Sequence, residues 1–489
     1  MCITTSQPTR KQFGPSTLFA LAFTICNSWT SVSGTLQLAL YEGGVPALVY
    51  GIIAATLIFI CIGASLAELA SVYPTAGGQY HYASILAPAG WERGLSYTAG
   101  LVTVFSWIGI CAAIAMIPSQ YITALASVYH PTYVAQRWQV FLIYEGLVLI
   151  GLLAGVLLLK RFAWLHIVGV VETFSLFLVN FICYLARSKP KASNEVIWVD
   201  YTDVTGWPDG ISFLAGMSSL CFMYCGLDAA THMAEECTGP KRTVPKIIMA
   251  TIAMGFIAGF SYTMAVVYAI PDPEALINSQ GYLPLNVQIM GWRSLPMATG
   301  ITCAMIVMAI SILSAAQETA SRLTWVFARD HGFICSEILM TIHPTLQVPL
   351  YASLATWAIV SLCGVLYVIS DTAFNALLGS AVTFQQISYM IPIALLLYQR
   401  RSAELLPPER PFRLPGVLGW LVNILTVVFT VVVAVFSNFP LAVPATSESM
   451  NYACVVVVIA LVIALVNWWF HAKNQYGAPV HNMAAMLAD

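Results

Sequence analysis

Apolar residues in this chain come in long unbroken blocks, separated by short polar stretches, rather than in the alternating or amphipathic patterns of soluble domains. A helix crosses the hydrocarbon core of a bilayer in about 20 residues. The blocks predict twelve such helices, near residues 17–40, 46–70, 96–126, 138–159, 163–187, 211–235, 247–270, 296–319, 350–369, 374–398, 417–438 and 451–470. Each must be helical, because backbone polar groups in lipid have to be satisfied within the segment. The expected class is therefore an all-α integral membrane protein. The intervening loops are too short to form domains, so any chemistry has to sit among the helices.

Two blocks are interrupted. The first is apolar at Leu18–Ile25 and again at Leu36–Leu40, with Cys26-Asn27-Ser28-Trp29-Thr30-Ser31-Val32-Ser33-Gly34-Thr35 between. The sixth carries Ser218-Ser219, then Phe222, Tyr224, Gly226 and, about half-way across, the ionisable Asp228. Broken helices in corresponding positions point to a transporter's midplane binding site. An odd number of helices per repeat inverts the second copy, so the interruptions suggest two five-helix repeats of opposite topology. The expected units are a tail at 1–16, repeats at 17–187 and 211–398, two further helices within 417–470, and a tail at 471–489. Small residues at such places also permit close helix packing, which is the competing reading.

Composition agrees. Of 489 residues 59% are hydrophobic and 9% charged, against roughly a quarter charged in soluble domains; mean hydropathy is +0.80. A net charge of −2 offers no basic field for nucleic acid. The 12 Cys lie scattered in apolar segments without C-x-x-C spacing, so neither a metal nor another cofactor is expected. The polar N-terminal stretch has no signal-peptide pattern, and the first helix is expected to direct insertion. With both termini in the cytoplasm, the inner side holds Arg10, Lys11, Arg93, Lys160, Arg161, Lys241, Arg242, Lys246, Arg322, Arg329, Arg400, Arg401, Arg410, Arg413 and Lys473. The outer side holds Arg137, Arg187, Lys189, Lys191 and Arg293, the asymmetry of the positive-inside rule.

A charge inside the membrane is costly and marks function by default. Asp228, beside the second interruption, can receive a substrate ammonium, carry a coupled proton, or simply bond a neighbouring helix. Glu145 and Glu172 can form a polar network or serve as neutral packing acids. Glu68, Glu235, Glu236 and Glu318 are placed near inner helix ends, where they either pair with Arg322, Arg329 or Arg93 to make a gate or are simply solvated at the interface. His166 and His232 are of the type that titrates near neutrality, although lone histidines in helices are usually satisfied structurally. Trp29, Trp107, Phe222 and Tyr224 offer ring faces to a cation.

Four stretches in order carry a family resemblance: Ser65–Tyr82 with its Tyr73-Pro74-Thr75-Ala76-Gly77-Gly78, Glu235–Pro245, Arg322 with Ala328–Gly332, and Arg410-Pro411-Phe412-Arg413-Leu414-Pro415-Gly416. The chain resembles amino acid–polyamine–organocation permeases over nearly its whole length. Asn27-Ser28-Trp29, and Gly226-Leu227-Asp228 followed by His232-Met233-Ala234-Glu235-Glu236, look most like the fungal amino acid/choline transporter branch. That resemblance implies the LeuT-type 5+5 inverted repeat plus two C-terminal helices, and alternating access. The family's Gly-Ser-Gly-type run is replaced by Trp29-Thr30-Ser31, which shifts the expectation toward choline-like solutes. The same alignment sets Phe222 as a gating aromatic and Asp228 as the acidic coupling residue.

The expected protein is a permease, not an enzyme, moving a small amino acid, amine or choline-like solute across the plasma membrane rather than the vacuolar one. The expected substrate contacts are Ser28, Trp29, Thr30, Ser31, Trp107, Phe222, Tyr224, Gly226 and Asp228, with Asp228, Glu68, Glu172, Glu235 and Arg322 in coupling or gating. A proton is the expected coupling ion ahead of sodium, for which only Ser311 and Ser314 suggest a site. The rivals are a carrier serving a specialised-metabolite pathway and a non-transporting sensor, against which the short tails argue.

Overall fold

The computed structural model describes residues 13–159, 162–273, 276, 282–447 and 450–479. Arg10, Lys11, Lys160 and Arg161, counted above as inner cations, lie outside these, as does most of each expected tail. The regular structure among the described residues is helical apart from one bridge pairing Phe13 with Cys237. Among them eleven helices are long and apolar enough to cross a bilayer. The remaining expected span, 17–40, is two shorter helices, α1 (Pro15–Cys26) and α2 (Ser28–Tyr41), hinged at Asn27.

The chain continues through α3 (Gly44–Val72), the short α4 (Gln79–Leu86), α5 (Glu92–Tyr129), α6 (Arg137–Ala154), α7 (Leu165–Arg187) and α8 (Asp209–Leu220). Then follow α9 (Pro240–Tyr268), α10 (Leu283–Trp292), α11 (Leu295–Arg329), α12 (Leu350–Ile369), α13 (Asp371–Tyr398), α14 (Gly416–Phe436) and α15 (Ala453–Asn467). Burial sorts them. The most apolar stretch of α5 is 83% buried and that of the α15 span only 11%, so α5 is a central post and α15 lies at the periphery. Val458, Ile459, Leu461 and Leu465 of α15 face outward; an apolar surface of this kind is covered by lipid.

The span expected to end at 319 runs on to Arg329. The charges that looked like an interfacial end are buried instead, with Glu318 3% and Arg322 4% exposed, because they pair with each other at 2.9 Å. At the centre, α9 presses against the hinge of the first helix. A Cβ at Gly255 would meet Ser28 Oγ at 2.5 Å, so only glycine lets α9 approach that closely.

Candidate functional site

Asn27 sits in the left-handed region (φ 30°), which Asn tolerates better than most side chains. Its carbonyl accepts the N–H groups of Thr30 and Ser31 and the Thr30 hydroxyl at 2.9 Å. Ser31 Oγ donates to Cys26 O at 3.1 Å. The helix therefore resumes at Ser28, and Trp29-Thr30-Ser31 form its first turn rather than an unwound segment. The physical reason is that these hydroxyls close the carbonyls the hinge leaves open. Their donors are spent inward, and what remains toward the interior is acceptor lone pairs.

The second interruption is longer. After α8 comes a 3-10 turn, Cys221–Tyr224, an unwound stretch with Gly226 at φ 80°, and one helical turn, Ala229–His232. A Cβ at Gly226 would strike Ile25 of α1 at 2.7 Å, so the two breaks touch. Ser28 Oγ donates to Met223 O at 2.8 Å, joining them.

Asp228 is 2% exposed and encaged. Its Oδ2 accepts from Gln79 Nε2 (2.6 Å) and Trp107 Nε1 (3.3 Å), and its Oδ1 from Tyr389 OH (3.1 Å). His232 Nε2 lies 3.0 Å from Oδ2, and its Nδ1 2.9 Å from Ala76 O. A carbonyl only accepts, so Nδ1 carries a hydrogen. The Nε2–Oδ2 contact then holds one more hydrogen, on the imidazole or on the carboxyl.

A cavity of about 730 Å³ runs from Ile25 and Asn27 to the connection 437–452, lined on the way by Thr30, Ser31, Phe222, Met308 and Tyr452 among others. Toward the Arg329 end the bundle is shut by buried and half-buried ion pairs. Arg329 grips both oxygens of Glu235 at 2.9 and 3.0 Å. Arg322 bridges Glu236 (3.2 Å) and Glu318 (2.9 Å), and His166 Nε2 lies 3.3 Å from Glu318. His81 Nε2 is 2.9 Å from Asp330. Burial alone pushes the Glu235 carboxyl up, but the Arg329 charge and hydrogen bonds, with His81 and Ala76 N–H, outweigh it and hold it below the usual range.

Of the residues singled out from sequence, Thr30, Ser31 and Phe222 line the cavity. Ser28 is used between the breaks, and Trp29 packs on Tyr262 and Phe177, 5.3 and 6.4 Å between ring centres. Tyr224 turns away, its hydroxyl 3.0 Å from Thr56. Trp107, Gly226 and Asp228 lie around the cage. Glu68 pairs with Arg401 (2.8 Å) and Arg410 (2.7 Å) instead of Arg322, Arg329 or Arg93, because the connection after α13 folds back against α3. Arg93 binds the carbonyls of Ala472, Lys473 and Tyr476. Glu172 accepts from Ser311 at 3.3 Å, while Ser314 bonds its own helix at Ile310 O. No hydrogen bond joins Glu172 to Glu145 among the described residues; Glu145 lies instead beside Gly364 of α12. Gln79, Tyr389 and Glu42 were not picked out as site residues. Gln79 lies inside the Ser65–Tyr82 motif, but nothing local marks Tyr389, and Glu42 reads as a loop acid. Among the described residues no group of three or more His, Cys, Asp or Glu is placed to hold a metal.

Comparison with known proteins bears on this geometry. A family model described as amino acid permease matches residues 13–461. A choline transporter of Saccharomyces cerevisiae is 32% identical over 480 residues, covering 96% of this chain and 83% of that one. A swainsonine transporter of Arthroderma benhamiae is 27% identical over 475 residues, covering 96% and 92%. The crystal structure of a manganese transporter of Eremococcus coleocola shares the fold with a TM-score of 0.53 at 13% identity, covering 95% of this chain and 97% of that one.

Proposed function

Because the chain belongs to the amino acid permease family, and is thus a multi-pass membrane transporter and not an enzyme, we propose that it carries a small amine, amino acid or choline-like solute by alternating access. The observation that carries this reading is the cavity that reaches from Tyr452 to two touching helix breaks, with the Arg329 end of the bundle closed by ion pairs. Its volume falls within the range of small-molecule sites, about 300–1,000 Å³. The acceptor character of the wall at Thr30 and Ser31 favours an ammonium over a carboxylate. In this reading the hinged α1–α2 pair makes the twelfth crossing and 17–187 and 211–398 are the inverted repeats. The cation-rich Arg329 end faces the cytoplasm, and the plasma membrane is the host.

A proton is the coupling ion, exchanged at the Asp228–His232 contact. Rocking of the Ala229–His232 turn would expose that contact while the Glu235–Arg329 seal opens. The swainsonine transporter among the relatives supports a second reading, a carrier for a specialised-metabolite pathway with the same site and another cargo. Uptake into cells lacking their own amine permeases tests both. Labelled choline, 4-aminobutyrate and a basic amino acid are offered with and without a pH gradient. Gradient-driven uptake of one of them, lost in Asp228→Asn, is the expected result. Absence of uptake of all three by protein shown to be at the membrane sinks the first reading and leaves the second.

A further inference from the structure

Glu42 follows the last residue of α2, and its N–H is donated back to Leu38 O. It is buried, yet its side chain belongs to the cavity wall. Among the described residues it is the only Asp, Glu, Lys, Arg or His on that wall. Its carboxylate accepts one hydrogen bond there, from Ser219 Oγ at 3.2 Å. A carboxylate has about four lone-pair sites, so most of its capacity is free. Its backbone is held, in contrast: Ser212 Oγ donates to Glu42 O, and Tyr201 OH reaches the same oxygen at 3.5 Å. The acid is fixed in the wall with most of its acceptor capacity open.

Three surrounding features suit a cation. The C-terminal end of α2 adds the partial negative charge of its unbonded carbonyls. Tyr41, Phe439 and Tyr452 on the same wall supply ring faces. Deeper in, Thr30 and Ser31 have already given their hydroxyl hydrogens to the chain. Among the described residues, a substrate carboxylate meets no cationic side chain on this wall.

We propose that Glu42 is the anionic anchor of the cavity, engaging the ammonium or quaternary ammonium head of the solute and selecting organic cations over zwitterions and anions. This rests on the transport reading above and narrows its substrate class.

The test is binding of labelled choline, and of its neutral carbon isostere 3,3-dimethylbutan-1-ol, to wild type, Glu42→Gln and Glu42→Asp, with 4-aminobutyrate as competitor. The expected result is a loss of choline affinity of about tenfold or more in Glu42→Gln, partial recovery in Glu42→Asp, and isostere binding within about twofold of wild type. Wild type should also prefer choline to 4-aminobutyrate. Choline affinity unchanged in Glu42→Gln overturns the anchor while leaving the transport reading in place. Equal loss of choline and isostere overturns it too, since that marks a structural role. Wild type that binds neither choline nor any amino acid overturns both.

Discussion

Asp228 and Glu42 are both buried acids, and they differ in how many donors reach them. Asp228 is met by Gln79, Trp107, Tyr389 and His232, a shell that leaves little room for a ligand. Glu42 is met by Ser219. Burial pushes the Glu42 carboxyl up to about 8, the Ser219 hydrogen bond pulling the other way. The groups around it are Tyr41, Tyr201 and, behind Tyr201 and Ser212, the acids Asp203 and Asp209; none of them brings positive charge. The ionised form is the one that attracts a cation, and it gains population as pH rises. Choline affinity of the wild type should therefore climb between pH 6 and pH 9, with its steepest change near 8, and stay flat in Glu42→Gln. A wild-type profile as flat as the variant's would show that this carboxyl does not see the ligand.

Among the elements, the contact of α9 with the hinge is the tightest constraint on the site. Gly255→Ala forces a methyl against Ser28 Oγ and should cost about 1–3 kcal/mol. Gly300→Ala on α11, where a Cβ meets nothing within 4 Å, should be neutral or slightly stabilising, since Ala is the better helix former. Thermal unfolding in detergent separates the two, and equal midpoints would contradict the close-packing account. The same elements show what was legible in advance. Spans were readable because lipid demands long apolar runs, and Asn27, Gly226 and Asp228 stood out as polar or permissive residues inside them. The first break proved narrower than its polar run, because Thr30, Ser31 and Thr35 satisfy helix carbonyls with their own hydroxyls. The end of α11 was hidden for a related reason: Glu318 and Arg322 cancel each other inside the bundle. Tyr389 reaches Asp228 across 161 positions of sequence, a proximity that no local pattern carries.

At the scale of the whole molecule, charge is distributed unequally between the two ends. The Arg329 end is shut by Glu235, Glu236, Glu318 and Asp330 with their partners, and Glu68 fastens the connection after α13 beside them. Glu235→Gln leaves Arg329 without its bidentate partner and should destabilise the fold by about 2–3 kcal/mol, below the range of about 3–5 kcal/mol for a fully buried pair because both groups keep some exposure. The Glu235 carboxyl is held below its unfolded value, so its contribution is complete above the ordinary Glu range and fades as pH falls through the lowered value. The wild-type and variant unfolding midpoints should then converge in acid and separate toward neutrality; a constant difference would place the effect elsewhere.

Under the alternating access proposed above, the one-sided seal also sets where the empty carrier waits. A solute on the Tyr452 side faces a cavity that reaches both helix breaks, whereas one on the Arg329 side has to wait until several guanidinium–carboxylate contacts part together. The two faces of the same carrier will then saturate at different concentrations, the Arg329 face needing more solute for the same occupancy. Reversing the protein in a vesicle changes the apparent affinity of transport without altering a single contact to the cargo.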